Sequence, residues 1–280
     1  MSLLRANPRR RKRLVGAGLL GLTVAGLSGC SATGPGRGHL FGLPDPTTEQ
    51  APHIGNLWVG SWIACLVVGA IVWGLMFWAF ARYRRRHSNE VPRQTRYNLP
   101  MEIMYTVVPF LIIGVLFFYT VQAQDKVLAS AQPTPSTHTV KVVGQKWSWT
   151  FNYANEQVWD AGTIEKTPDL YLPVNETTTF ELHSPDVIHS FWVPSFYMKM
   201  DVIPGRTNTF QVTPNKEGVF AGKCAELCGT YHSAMLFNLH VVPRAEFDRK
   251  MAELKSRGQT GENLGSQGAN QLARAKKEGE

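Results

Sequence analysis

The 280-residue sequence predicts a membrane-anchored all-β protein: two transmembrane helices, then one outer domain of short strands folded as a sandwich or barrel. Three observations carry that class. Two long uncharged apolar stretches lie in the N-terminal half, and from about Gln132 short period-two runs alternate with Pro, Gly, Asn and Asp. Charge is also divided unevenly: residues 1–130 carry 14 basic and 5 acidic side chains, residues 131–243 carry 7 and 10, and residues 244–280 carry 8 and 6. The net +8 therefore belongs to the N-terminal part, while the strand-rich part is mildly acidic. Nucleic-acid binding needs a basic folded face, so that class is excluded. Four cysteines in this length also exclude a disulfide-dense scaffold.

Taken in order, the first element follows Arg9-Arg10-Arg11-Lys12-Arg13 and runs from Leu14 to Ser28. A charged start, a short apolar run and small residues at its end read as an export signal, residues 1–29, too short to span a bilayer. Its close, Leu27-Ser28-Gly29-Cys30, resembles the lipobox of bacterial lipoproteins, in which the cysteine is lipidated and becomes the new N-terminus. An ordinary signal with an incidental cysteine fits the same apolar core. Residues 30–56, rich in Pro and Gly, read as an external linker.

Leu57 to Ala81 holds 25 residues without a charge, about 37 Å as a helix, and Ile103 to Val121 holds 19 more. Together residues 57–121 read as a transmembrane hairpin. Pro109 is tolerable there because membrane helices re-satisfy a freed carbonyl, and Cys65 reads as a small buried hydrophobe. The connecting loop carries Arg82, Arg84, Arg85, Arg86, Arg93 and Arg96 against Glu90 alone, which places it in the cytoplasm. Both termini then face outward, as the export signal independently requires. The expected location is a bacterial cell membrane, crossed twice.

Residues 131–243 form the outer domain. Trp147, Trp149, Phe151 and Tyr153 alternate with Lys146, Ser148, Thr150 and Asn152, the pattern of a half-buried strand. Val140–Val143, Thr177–Leu182, Ser190–Val193, Thr207–Thr213 and Met235–Val242 look similar, and no internal repeat is visible. Residues 244–257 suit a short helix, and the polar, Gly- and Gln-containing tail from Gly258 is expected to be disordered.

The chemistry concentrates in Cys224-Ala-Glu-Leu-Cys228-Gly-Thr-Tyr-His232-Ser-Ala-Met235, with His189 lying 35 residues before Cys224. Thiolate with thioether is a soft donor set that favours copper, since zinc seldom takes methionine. A one-copper electron-transfer site needs two His, one Cys and a weak axial Met, so one thiolate is in excess. If both thiolates bridge two coppers, His189 and His232 supply one nitrogen apiece. Met235 can then be the weak axial donor to one copper, and the backbone carbonyl of Glu226 is placed to serve the other. A Cys224–Cys228 disulfide is the alternative that an exported domain could form, and it leaves the His and Met placement unexplained. A copper chaperone is a second alternative, although carriers of the thioredoxin-like kind place their cysteines before the distant His, the reverse of the order here.

These residues resemble cytochrome c oxidase subunit II. The resemblance rests on C-A-E-L-C-G-x-x-H-x-x-M, on His189-Ser-Phe-Trp-Val-Pro-Ser-Phe, and on Lys199-Met-Asp201-Val-Ile-Pro-Gly205-Arg206, and with the two preceding helices it covers roughly residues 50–245. It implies a cupredoxin-like Greek-key β-barrel with a binuclear CuA centre. That centre would take electrons from cytochrome c and pass them to the haem of subunit I. By the same resemblance His189, Cys224, Cys228, His232, Met235 and the Glu226 carbonyl bind copper. The Glu226 side chain would help to hold a magnesium ion at the boundary with subunit I, and Asp201 resembles an acidic residue near it. An exposed turn aspartate is the plainer reading of Asp201.

Trp147 matches the family's tryptophan at which electrons enter, whereas the strand pattern alone would make it a core aromatic. Gly144-Gln145-Lys146-Trp147 departs from the more usual Gly-His-Gln-Trp, which implies an unusual docking surface. Glu102, four residues before Thr106, matches a glutamate at the mouth of a proton channel in subunit I, and a carboxylate in a first helical turn also serves as a cap. His138, His183 and His240 stand outside any cluster. No C-x-x-C-H occurs, so the expectation is a separate electron donor, with oxygen reduction and proton translocation completed in partner subunits. The rival class is a membrane-tethered copper carrier without oxidase partners.

Overall fold

The computed structural model describes residues 40–84, 91, 94–128 and 137–265. The export segment, Cys30, Arg85, Arg86, Glu90, Arg93 and the chain beyond Gly265 lie outside the described residues. All elements below belong to one compact unit that begins at Pro46.

Helix α1 spans Ala51–Arg82 and α2 spans Leu99–Leu128, each longer than the uncharged stretch inside it. Their flanks explain the difference. Thr48 accepts a hydrogen bond through Oγ1 from the Ala51 N–H at 3.2 Å, and Pro52 follows in the first turn, where its missing donor costs nothing. At the start of α2, the Asn98 side chain accepts from the Met101 N–H at 3.4 Å, and Glu102 reaches back to accept from the Asn98 N–H at 3.1 Å. Side chains such as Trp73, Phe77, Phe110 and Phe118 stand more than half exposed around the pair. A helix pair apolar on all sides has no aqueous solution to its exposure, so this is a membrane protein.

Ten strands follow: β1 His138–Gln145, β2 Ser148–Tyr153, β3 Val158–Ala161, β4 Asp169–Pro173, β5 Thr178–His183, β6 His189–Val193, β7 Met198–Val202, β8 Asn208–Val212, β9 Gly218–Cys224 and β10 Leu236–Val242. They form two five-stranded sheets, ordered β3-β2-β1-β5-β8 and β4-β10-β9-β6-β7. Pairs β1–β5 and β4–β10 run parallel, and the other neighbours antiparallel. This is the cupredoxin-like architecture expected from the motifs. Aromatic rings from both sheets interlock between them: Phe191 stacks on Phe237 at 4.9 Å, Phe180 on Phe210 at 5.0 Å, and Trp149 meets Phe191 and Phe237 edge-on. Burying each such ring stabilises the fold by about 2–3 kcal/mol.

Helix α3, Arg244–Ser256, closes the end where β1 begins. Phe247, Met251 and Leu254, spaced four and three apart, form its one buried face. The Phe247 ring lies 5.1 Å from that of His138 and 6.0 Å from that of Tyr153. His138 is itself buried, with Nδ1 3.0 Å from Glu156 and Nε2 2.9 Å from Glu176, which also pairs with Arg244.

Four expectations need correction. Strand β2 is buried on both faces rather than half-buried, and Trp147 lies before it, in the turn from β1. The second face is covered by the expected disordered tail. Residues 258–265 run across β2 and β3, where Asn152 exchanges hydrogen bonds with Asn263 at 2.6 and 3.0 Å and the Trp159 N–H donates to the Gln259 carbonyl at 3.1 Å. The end of the expected linker is likewise packed: Thr47 and Thr48 are fully buried, and the Thr47 N–H donates to the Ser195 carbonyl at 3.1 Å. Finally, β3, β4, β7 and β9 were not foreseen. Each carries charged, Gly or Pro positions that blur the alternation, and pairing across the sheets overrides that local signal.

Candidate metal centre

The six expected donors converge at the end of the barrel away from α3. Register explains how. Strands β9 and β10 are antiparallel neighbours, so the residues flanking their connection meet, and the Cys224 N–H donates to the Met235 carbonyl at 3.0 Å. Strand β6 lies on the other side of β9, with Phe191 opposite Cys224, which brings His189 alongside. The loop between carries Glu226 and Cys228, then a single 3-10 turn, His232–Ala234.

The two thiols stand in the middle, with Sγ atoms 3.9 Å apart. Nδ1 of His189 lies 3.9 Å from Cys224, and the Glu226 carbonyl 3.2 Å from the same sulfur. Nδ1 of His232 lies 3.5 Å from Cys228, and the Met235 sulfur 3.8 Å from it. His189 and Met235 are fully buried, and both cysteines nearly so. Sulfur atoms joined by a disulfide sit about 2.05 Å apart, so Cys224 and Cys228 are free thiols here.

Burial pushes the Cys224 thiol up, but His189 and the Glu226 and Ser190 backbone more than offset it and bring it down to about 7. Burial and then the neighbouring Cys224 charge push Cys228 up to about 12. The metal-free pair thus gives up one proton readily and holds the second, as two close like charges require. A cation between the sulfurs would relieve that repulsion. The residues fit copper: the soft sulfur pair is central, and imidazole, thioether and carbonyl donors surround it.

His189 is fixed from behind. Nε2 lies 2.8 Å from Asp186, whose carboxylate also accepts from the Val187 N–H at 2.6 Å and the Lys146 N–H at 2.7 Å. Burial raises the Asp186 carboxyl, and these donors outweigh it to hold it below the ordinary value. The His189 imidazole is held above its ordinary value: burial lowers it, and Cys224 and Asp186 prevail. Sequence reasoning missed Asp186, although an acid three residues before a ligand histidine was a legible signal.

Trp147 is half-buried, neither core nor fully exposed. Its ring packs against Gly229, where a Cβ would come within 3.1 Å of Nε1, and Gly229 adopts φ +126°, a conformation natural only to glycine. The Trp147 Nε1 is buried without a partner among the described residues. The ring also meets that of Tyr231 at 5.1 Å, nearly perpendicular. The glycine and the tyrosine were also not singled out from sequence. Close approach at Gly144 is needed too, since a Cβ there would meet Trp149 at 3.0 Å and His189 at 3.4 Å.

The remaining expected residues sit apart from the donors. Asp201 is exposed on β7, opposite Ser190, whose carbonyl accepts from the Ala225 N–H; the Glu226 side chain one residue on is exposed as well. Glu102 lies at the start of α2, where it caps the helix.

Residues 138–242 match the family described as cytochrome C oxidase subunit II, periplasmic domain. The probable cytochrome c oxidase subunit 2 of Streptomyces avermitilis is 44% identical over 297 residues, covering 91% of each chain. Cytochrome c oxidase subunit 2 of Corynebacterium glutamicum is 35% identical over 303 residues, covering 85% of this chain and 83% of that one. Among solved structures, the periplasmic domain of subunit II of cytochrome oxidase of Bradyrhizobium japonicum is 32% identical, covering 43% of this chain and 94% of that one, with a TM-score of 0.40.

Proposed function

The chain belongs to the cytochrome c oxidase subunit II family, and from that premise we propose that it is the electron-accepting subunit of the oxidase, binding a binuclear copper centre that cytochrome c reduces. The observation that carries this reading is the central pair of thiols 3.9 Å apart with His189, His232, Met235 and the Glu226 carbonyl around them. Copper bound there supplies reversible one-electron storage.

The protein's own residues do the rest. Cys224 and Cys228, deprotonated, would hold the copper together with one nitrogen each from His189 and His232, and Met235 and the Glu226 carbonyl would be the weak donors. Asp186 orients His189, and burial keeps water from the sulfurs. Trp147, against the ligand loop, lies on the path from cytochrome c. A mildly acidic outer domain suits a cationic donor, with weak steering. The exposed carboxylates of Glu226 and Asp201 would help to hold a magnesium ion at the boundary with subunit I, whose haem would receive the electron. Oxygen chemistry belongs to that subunit, and the other oxidase subunits complete the complex. Glu102, at the cytoplasmic end of α2, adds to its capping role a place at the mouth of a proton channel.

The proposed organisation is a cleaved signal over residues 1–29 with Cys30 lipidated, an external linker from Cys30 that ends ahead of α1, a transmembrane hairpin formed by α1 and α2 with its Arg-rich loop in the cytoplasm, the copper domain over 131–243 and a C-terminal segment over 244–280. Both termini are outside.

The test is electron paramagnetic resonance on the copper-loaded, membrane-purified protein and its Cys228→Ser variant. Spin shared over two equivalent coppers, lost or made mononuclear by the variant, together with one-to-one co-purification of a haem-containing subunit, is the expected result. A mononuclear signal indifferent to the variant, on a haem-free monomer, would instead favour a tethered copper carrier.

A further inference from the structure

Electrons arriving from outside must cross the surface nearest the thiols, and that surface is not Trp147 alone. The indole is half-buried, its nitrogen is enclosed, and the ring packs against Gly229 and meets that of Tyr231 edge-on. Tyr231 is 48% exposed and Leu227, on the same loop, 78% exposed, so the loop that carries the donors presents uncharged side chains to solvent. Two charged groups border it in sequence, Lys146 beside Trp147 and Glu226 beside Leu227, both exposed.

Tyr231 also has the shorter covalent connection to the donor set. It is bonded through one peptide to His232, whose Nδ1 lies 3.5 Å from the Cys228 sulfur. Trp147 reaches the same loop only across a van der Waals contact. Electronic coupling falls more steeply through space than along bonds, so an aromatic ring joined to a ligand residue is the better outer contact.

We propose that Tyr231 is the residue that the electron donor touches first, its ring seating the haem edge of the donor ahead of Trp147. The inference rests on the copper-centre reading above. In the step concerned, one electron leaves the donor's ferrous haem, which becomes ferric, and reduces the copper pair by one electron. No bond forms or breaks, no proton moves, and Tyr231 itself is not oxidised. Its hydroxyl is therefore dispensable and its aromatic ring is not. Rigid aromatic side chains commonly dominate such contacts.

Two variants of the complete purified oxidase test this, Tyr231→Phe and Tyr231→Leu. The binding of a zinc-substituted c-type cytochrome, which cannot pass an electron in its ground state, is measured by calorimetry; the reduction rate by the native cytochrome is measured by stopped flow. Tyr231→Phe should stay within about two-fold of wild type in both, whereas Tyr231→Leu should weaken binding and slow reduction by about ten-fold. The near-infrared copper absorption, unchanged in both variants, reports that the ligand loop is intact. Wild-type binding and rate in a copper-replete Tyr231→Leu would overturn the proposal and leave the copper-centre reading standing. A copper-replete wild-type oxidase that neither binds nor oxidises c-type cytochromes would overturn the donor assignment and this inference with it.

Discussion

Nε2 of His189 lies 2.8 Å from the carboxylate of Asp186, so Asp186 holds the imidazole in the tautomer that turns a free Nδ1 toward Cys224. The same carboxylate accepts from the Lys146 N–H, immediately before Trp147. One side chain thus supports both a metal donor and the turn that presents the tryptophan. In Asp186→Asn the amide must turn its NH2 either toward the Lys146 N–H, losing that bond, or toward His189 and the Val187 N–H, losing both. Copper retention against a chelator should weaken about 10–100-fold, the usual effect of losing a ligand's supporting carboxylate. Unchanged retention would mean that β6 alone positions the ring.

Gly229→Ala should leave the donors in place and move Trp147. A methyl at φ +126° is strained by about 1–2 kcal/mol and meets the indole at 3.1 Å. Reduction by cytochrome c should slow by about ten-fold with the copper spectrum retained. Simultaneous loss of copper would show that the loop, rather than the tryptophan, yields to the methyl.

The His138 network sets a pH dependence at the opposite end of the barrel. Both ring nitrogens face carboxylates, Glu156 and Glu176, and the charged groups around them are completed by Arg244, itself held by Asp248. The hydrogen bond to Glu156, then that to Glu176, hold the imidazolium above its ordinary value against the cost of burial. Because the folded value is raised, the contribution is complete below the unfolded value of about 6.5 and is lost as pH rises through the folded one. Urea unfolding of residues 137–265 should therefore show wild type losing stability relative to His138→Gln between pH 6 and pH 9. Parallel curves for the two would refute a charged histidine.

Removing residues 258–280 strips β2 and β3 of the Asn152–Asn263 and Trp159–Gln259 hydrogen bonds and β1 of the Lys141–Glu262 ion pair. The expected loss is about 1–3 kcal/mol in urea unfolding, nearly all from the buried amide bonds, since an exposed pair such as Lys141–Glu262 contributes little. An unchanged midpoint would mean that water replaces the segment at no cost.

The donor set was legible in the sequence because five of its six members lie within twelve residues of one connection, Cys224 to Met235, where spacing alone limits the geometry. The helices were legible because an uncharged stretch of 25 residues has few other uses. What stayed hidden depends on partners distant in the chain. Asn152 looks like a solvent-facing strand residue until Asn263 covers it, and His138 looks isolated because Glu156, Glu176 and Arg244 reach it from two different connections and a helix. Trp147 was assigned to a strand face because alternation continues through Lys146-Trp147, and only the hydrogen bonding of the turn ends it. Polar contacts of this kind leave no periodicity behind.

The junction just ahead of α1 fixes how the outer domain is mounted. Thr47 is bonded to Ser195, Gln50 accepts from the Thr213 N–H, and Gly55, already one turn into the helix, lies so close to Tyr197 that a methyl would come within 3.0 Å. The helix and the barrel are therefore keyed like a shaft in a slot, with no slack at the coupling. One residue inserted between Gln50 and Ala51 would turn the whole of α1 by about 100° against the barrel. Every lateral surface of the membrane hairpin would then be misaligned with the outer domain while each folded correctly. Assembly faults in such an insertion would arise from phase alone.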